Sequence, residues 1–159
     1  MTETAPLEPP IVLVDADACP VKDEIYDIAL RHGAGVVVIA NQYLRIPDHP
    51  LIQRVVVSDR FDAADDEIVA RAHDRAVVVT ADILLADRCL KAGAAALSPK
   101  GDAFTEDGIG AAIATRAIMA DLRAGGDVAI GGPAPFSKLD RSRFKSALHE
   151  RLERLARER

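Results

Sequence analysis

Short unbroken apolar runs alternate along this chain with longer stretches in which apolar residues return every three or four positions. Ile11 to Val14 is the first run, β-branched and ended by Asp15, Ala16, Asp17 and Pro20, and it reads as a buried strand. Proline suits a first helical turn, and Val21, Ile25, Ile28, Ala29 and His32 keep helical spacing until Gly33 supplies a stop. Val36 to Ala40 predicts a second strand, Asn41 to Pro50 a polar, proline-bearing loop, and Leu51 to Val57 a third strand. Asp62 to His73 returns to helical spacing, with acids crowded into its first turn, where the helix dipole favours them. Ala76 to Val79 predicts a fourth strand ending in Thr80, Ala81 and Asp82, followed by a helix from Ile83 to Lys91 that stops at Gly93. A fifth strand is expected at Ala94 to Leu97. Thr105 can then cap a long helix to about Arg123, ended by Gly125 and Gly126. Residues 127–139 carry too much Gly and Pro for regular structure and predict an ordered loop wrapped on the body. A last helix, 140–157, is expected to open at Asp140 and to place Phe144, Leu148, Leu152 and Leu155 on one stripe, which should dock or mediate a homodimer.

Strands alternating with helices imply right-handed crossovers, so the fold class is α/β: a three-layer sandwich around a mostly parallel central sheet. The 159 residues, 49% of them hydrophobic, suffice for one core, and residues 11–159 are expected to form one domain. Residues 1–10 are acidic and proline-rich, without the basic start and apolar centre of a secretory signal, and read as a disordered tail. No run approaches the roughly 18 apolar residues of a membrane span. Cys19 and Cys89 show neither CxxC spacing nor a disulfide framework, which fits a reducing cytoplasm. The net charge of −5 argues against nucleic-acid binding by the overall field, but it is unevenly spread. Residues 136–159 hold eight Lys/Arg against four Asp/Glu, so −5 divides into +4 there and −9 over residues 1–135.

In an open parallel sheet, ligands bind outside the carboxyl ends of the strands. Asp15 and Asp17 follow the first strand, Asp82 follows the fourth, and Asp62, Asp65 and Asp66 occupy the first turn of the helix that feeds it. Carboxylates crowded together raise each other's pKa unless a cation neutralises them. An all-oxygen set suits Mg²⁺ or Mn²⁺, and two such ions would suit phosphodiester hydrolysis. Several of these acids have a simpler reading as helix caps: Asp17 or Cys19 before the first helix, Asp62 before the second and Asp82 before the third. Asp15 resists it best, because a carboxylate directly after a buried strand is costly without a partner. Arg45 and Lys100 should lie near the same edge and could bind phosphate. The cations of the last helix could track a phosphate backbone, although a solvated helix face is the simpler account.

Five segments taken in order, VDADACPVK (14–22), ANQYLR (40–45), FDAADDEIV (61–69), VVTADILLA (78–86) and GGPAPFSKLDRSRF (131–144), resemble the YaiI/YqxD family of bacterial proteins. That family looks like a divergent branch of the PIN-like nuclease folds, whose acids bind Mg²⁺ or Mn²⁺ and cleave RNA. The resemblance implies that Asp15, Asp65 and Asp82 are the metal carboxylates and catalytic residues, with Thr80 supporting the site and Asp17 and Asp62 as further ligands or supports. This chain departs from the pattern in its acidic body and in having Lys100 and Asp102 where a fourth acid would follow the fifth strand.

IVLVDAD also resembles the first motif of haloacid-dehalogenase-like phosphatases, with Asp15 as nucleophile, but there the metal-binding acid pair follows the lysine. Here Asp65 and Asp66 precede both Thr80 and Lys100. A non-catalytic module that binds metal or RNA is the other alternative. Cys19 lacks a histidine within its motif and reads as a packing residue. His32, His49, His73 and His149 are scattered without ligand spacing and receive no role. No GxxxxGK phosphate loop is present.

Overall fold

The computed structural model describes residues 9–17, 19–60, 62–124 and 136–158. Five strands and five helices follow one another as β1 (Ile11–Asp15), α1 (Lys22–Arg31), β2 (Gly35–Ala40), β3 (Ile52–Val56), α2 (Ala63–Arg71), β4 (Ala76–Val79), α3 (Ile83–Lys91), β5 (Ala95–Leu97), α4 (Glu106–Ala124) and α5 (Lys138–Arg157). The expected helix stop at Gly125 and Gly126, most of the 127–139 loop and residues 1–8 of the tail lie outside the described residues.

All four strand pairings are parallel, in the order β3-β2-β1-β4-β5. The chain builds outward from β1 to β2 and β3, then returns to the other side of β1 for β4 and β5. Because β1 is central, both its faces are covered, which explains why its sequence is continuously apolar rather than alternating. Val12 and Val14 belong to a core under α1 and α5, with Ile25, Ile28, Phe144, Leu148 and Leu152. Leu13 belongs to the opposite core, with Ala64 and Ile68 of α2, Leu85 and Cys89 of α3, and Ile109 of α4. The result is the three-layer α/β sandwich anticipated from the alternation of elements, and its strand order is consistent with a PIN-like arrangement.

The expected elements all form, with shifted ends. Helix α5 starts two residues before Asp140, because Ser137 is its N-cap. The Asp140 amide donates to Ser137 Oγ at 3.1 Å and the Ser137 amide donates to the Asp140 carboxylate at 2.9 Å, a reciprocal capping box. Helix α2 ends at Arg71 rather than His73, because Ala72 is extended. Thr105 does cap α4, accepting from the Gly108 amide at 3.0 Å. The α5 stripe docks within the chain: Phe144, Leu148, Leu152 and Leu155 are all buried.

The turn after β5 presses on α5. Gly101 has a φ of +92°, and a Cβ there would lie 2.7 Å from the Arg143 carbonyl carbon and 2.9 Å from the Phe144 nitrogen. Both the left-handed backbone and the absent side chain are therefore required. Gly101→Ala should lower the melting temperature by on the order of 10 °C, from about 2–5 kcal/mol of strain and overpacking; an unchanged melt would mean that the turn does not press on α5. Leu152→Ala should cost about 2–5 kcal/mol in denaturant unfolding, since it opens a cavity between α5 and the sheet.

Candidate functional site

The strand order makes β1 and β4 neighbours at the point where the chain reverses its direction of travel across the sheet, where a crevice opens between the diverging connections. Asp15 is the last residue of β1 and is half-buried; Thr80 directly follows β4 and is buried, at 2% exposure. The Thr80 hydroxyl donates to Asp15 Oδ2 at 2.7 Å and accepts from the Asp82 amide at 3.0 Å. One side chain thus ties the ends of both strands to the start of α3. Asp82 is the N-cap of α3, its Oδ1 accepting from the Leu84 amide at 2.9 Å and the Leu85 amide at 3.3 Å. Asp15, Asp17, Thr80 and Asp82 line a cleft of about 280 Å³ together with Cys19, Val79, Ala81 and Pro99.

Electrostatics link these acids to α2. Burial pushes the Asp15 carboxyl above its usual range; the Thr80 hydrogen bond opposes this, and the charges of Asp65, Asp17 and Asp82 raise it further. Burial likewise raises Asp65, reinforced by Asp82 and Asp62 and opposed by Arg88. Burial and neighbouring acids therefore disfavour ionisation of Asp15 and Asp65 at one edge of the sheet. The acids do not converge tightly, however. Among the described residues, the group of three potential ligand atoms drawn within 4.8 Å of one another consists of His32, His149 and Glu153, at another place in the fold.

The cap reading separates the acids. It holds for Asp82. It fails for Asp17, because the N-cap of α1 is Val21 and the Asp17 carboxylate instead accepts from the Asn41 amide at 3.2 Å. It fails also for Asp62, which stands before α2 in a left-handed conformation, φ 70°, without a side-chain cap; aspartate tolerates that backbone better than most residues do. Asp66 is engaged by Arg88 at 3.0 Å and Arg60 at 3.9 Å.

The remaining candidates lie at or beyond the margin. Asp62 and Asp65 do not line the cleft, and neither do Arg45 or Lys100, both of which are exposed. Lys100 contributes its charge to Asp140 at the start of α5. Lys22 donates to the Cys19 carbonyl at 2.9 Å and the Ala16 carbonyl at 3.4 Å, so it braces the turn that carries Asp17. Asn41 was not anticipated: its amide side chain reaches the Ser58 carbonyl while its backbone holds Asp17, joining the ends of β2 and β3 to the cleft. Only the order of strands could have revealed it. Cys19 borders the cleft, but burial raises its thiol, which suits a packing residue rather than a nucleophile.

The donor set fits a hard ion. Asp15 and Asp82 each keep one carboxylate oxygen outside the hydrogen bonds formed by the described residues. An all-oxygen, partly hydrated site of one or two carboxylates is the manner in which Mg²⁺ is usually bound.

Among known proteins, the family described as "Uncharacterized BCR, YaiI/YqxD family" matches residues 13–154. A "UPF0178 protein" of Sphingopyxis alaskensis is 66% identical over 148 residues, 93% of this chain and 96% of that protein. Another, of Jannaschia sp., is 58% identical over 91% of this chain and 94% of its own length, and one of Nitrobacter winogradskyi is 54% identical over 91% of each. No solved structure matches the chain. With nearly the whole body covered at such identities, the chain belongs to the YaiI/YqxD family.

Proposed function

We propose that this protein is a divalent-metal-dependent nuclease acting on RNA phosphodiesters. The observation that carries the reading is the pairing of Asp15 and Asp82 on one cleft at the β1/β4 reversal, with Asp15 held in a state that burial and neighbouring acids make unfavourable without a cation. Asp15 and Asp82 are the residues that would hold Mg²⁺ or Mn²⁺, with Asp65 and Asp17 adding negative charge from α2 and from the turn after β1. When bound, such an ion supplies a lowered pKa for water and neutralises charge on a phosphoryl oxygen. The chain's own contribution is positional. Thr80 fixes the rotamer of Asp15 by donating to one oxygen, and the α3 amides fix Asp82 by the same means. Arg45 and Lys100, exposed on the loops that follow β2 and β5, would meet the phosphates of a bound strand and offset the acidic body.

Linkage gives this reading a stability signature. The folded Asp15 holds its proton to higher pH than the usual 3.8, so the unfolded chain ionises first as pH rises. Stability therefore falls as pH climbs from 3.8 through the raised value, and the penalty persists at neutrality. Asn removes it and can still accept from Thr80. Without added metal at pH 7, Asp15→Asn should melt higher than the wild type, with the gap closing toward pH 3.8; Mn²⁺ should raise the melting temperature of the wild type alone. A variant that melts lower at pH 7 would refute the crowding.

Activity is tested on single-stranded RNA with Mn²⁺. Asp82→Asn should reduce cleavage by at least about 100-fold, exceeding the usual effect of outer-shell changes, while the fold survives because Asn is as good an N-cap as Asp. Cleavage unchanged in that variant, or absent from a wild type that binds Mn²⁺, would replace the nuclease by a non-catalytic metal-binding module.

A further inference from the structure

Helices α1 and α5 lie side by side and run in the same direction, joined along their length by a ladder of polar contacts. Arg141 meets Glu24 at 3.0 Å and Lys145 meets Asp27 at 3.1 Å. The next position along α5 at the same four-residue interval is His149, and the one after that is Glu153. Here the pattern of cation on α5 against anion on α1 breaks: His149 Nδ1 lies 2.8 Å from Nε2 of His32, and Glu153 Oε1 lies 3.8 Å from His32 Nδ1. The two rings are 4.8 Å apart between centroids and tilted by 52°. Each of the three residues has a ligand atom within 4.8 Å of the others.

We propose that His32, His149 and Glu153 form a binding site for a borderline transition metal, Zn²⁺ above all, that clips the end of α1 to α5. Two imidazoles and one carboxylate are a known zinc donor set, with a fourth position left for water. The same imidazoles disfavour Mg²⁺ and Mn²⁺, so this site is chemically distinct from the all-oxygen cleft. It is also spatially distinct: His32 follows the last residue of α1, at the amino end of β2, whereas the aspartates stand at the carboxyl ends of β1 and β4.

The scaffold is suited to hold an ion. His32 is the C-cap of α1, its ring only 13% exposed, and Gly33 at φ +66° turns the chain directly into the sheet. His149 and Glu153 are four residues apart on α5, one turn of one face. That helix is anchored by buried Leu148 and Leu152 beside them. Two nitrogens at 2.8 Å are shorter than the roughly 3.3 Å that two Zn–N bonds of about 2.05 Å span in a tetrahedron. A small rotation of the exposed His149 ring provides the difference, and the Glu153 carboxylate, 3.8 Å from His32 Nδ1, swings to the Nε2 side of that ring to complete the set. Without metal, the two rings share one N–H···N hydrogen bond, the simplest alternative for this contact.

The test uses the full chain, stripped with chelator and titrated with Zn²⁺ and separately with Mg²⁺ at neutral pH. One Zn²⁺ per chain should bind and raise the melting temperature, while Mg²⁺ does neither at this site. His149→Ala, at an exposed position whose loss spares the core, should weaken Zn²⁺ binding by at least about tenfold and abolish the rise in melting temperature. His32→Gln should do the same, whereas Asp15→Asn should leave zinc binding unchanged. The proposal is overturned if less than one Zn²⁺ per chain binds when free Zn²⁺ reaches about 100 μM, roughly 100 times a micromolar Kd, or if both histidine variants bind it as the wild type does. Zinc binding lost in Asp15→Asn would overturn it too, by assigning the ion to the cleft.

Discussion

The hydrogen bond from Thr80 to Asp15 joins the two strands on whose adjacency the site depends. β1 is buried on both faces, so along Val12, Leu13 and Val14 no polar side chain is tolerated. Asp15 is the first position where the chain emerges, and it emerges beside the end of β4 because β4 crosses back to pair with β1. A carboxylate there is half-buried by the sheet's own geometry. Thr80 meets one of its oxygens and at the same time receives the amide of Asp82, so the acid on β1 and the cap of α3 are tied through a single hydroxyl. The group that closes the sheet's edge is thus also the group that orients the acid.

Repulsion is the second half of that arrangement. Asp65 approaches from α2 and Asp17 from the following turn, and each makes the ionised form of Asp15 less favourable. A fold that needed only caps would have no use for this combination, since Asp17 and Asp62 cap nothing. Yet Asp66, adjacent in sequence, is neutralised by Arg88 and Arg60. Neighbouring acids on one helix turn are thus treated differently, one paired with arginines and the other left facing the acidic edge.

Much of this was legible in the sequence. The unbroken apolar runs and the 3.6-residue pattern located every strand and helix named in the fold, because nearly all of them bury one or two continuous apolar faces. Asp82, like Asp15, stood out as an acid close behind a buried run, whereas Thr80 was marked by the resemblance to the family. What escaped was long-range. The strand order, and hence Asn41's hold on Asp17, depends on which strands pair. The start of α5 was misplaced because the Pro/Gly-rich approach hid a capping box whose two members, Ser137 and Asp140, were in plain view. His32 and His149 are 117 residues apart and meet only because α1 and α5 lie parallel on one face of the sheet; the i, i+4 spacing of His149 and Glu153 was the one local hint.

The uneven charge of the chain takes its meaning from the same packing. Residues 136–159 carry the surplus of cations, and read alone they suggest a track for phosphate. In the folded chain, Arg141 and Lys145 face Glu24 and Asp27 of α1, and Arg141 also donates to the Pro20 carbonyl at 2.7 Å, within the turn between the cleft and α1. Part of the basic segment is therefore spent on docking α5 against an acidic neighbour, which explains how an acidic body and a basic terminal helix coexist in one domain. It also confines recognition of any phosphate at the cleft to cations that α1 does not engage, and the two expected for that role, Lys100 and Arg45, are exposed. The nuclease reading thus depends on two loop cations and a bound metal to overcome the field of the body, and salt should weaken substrate binding only shallowly, as expected when few phosphates are contacted.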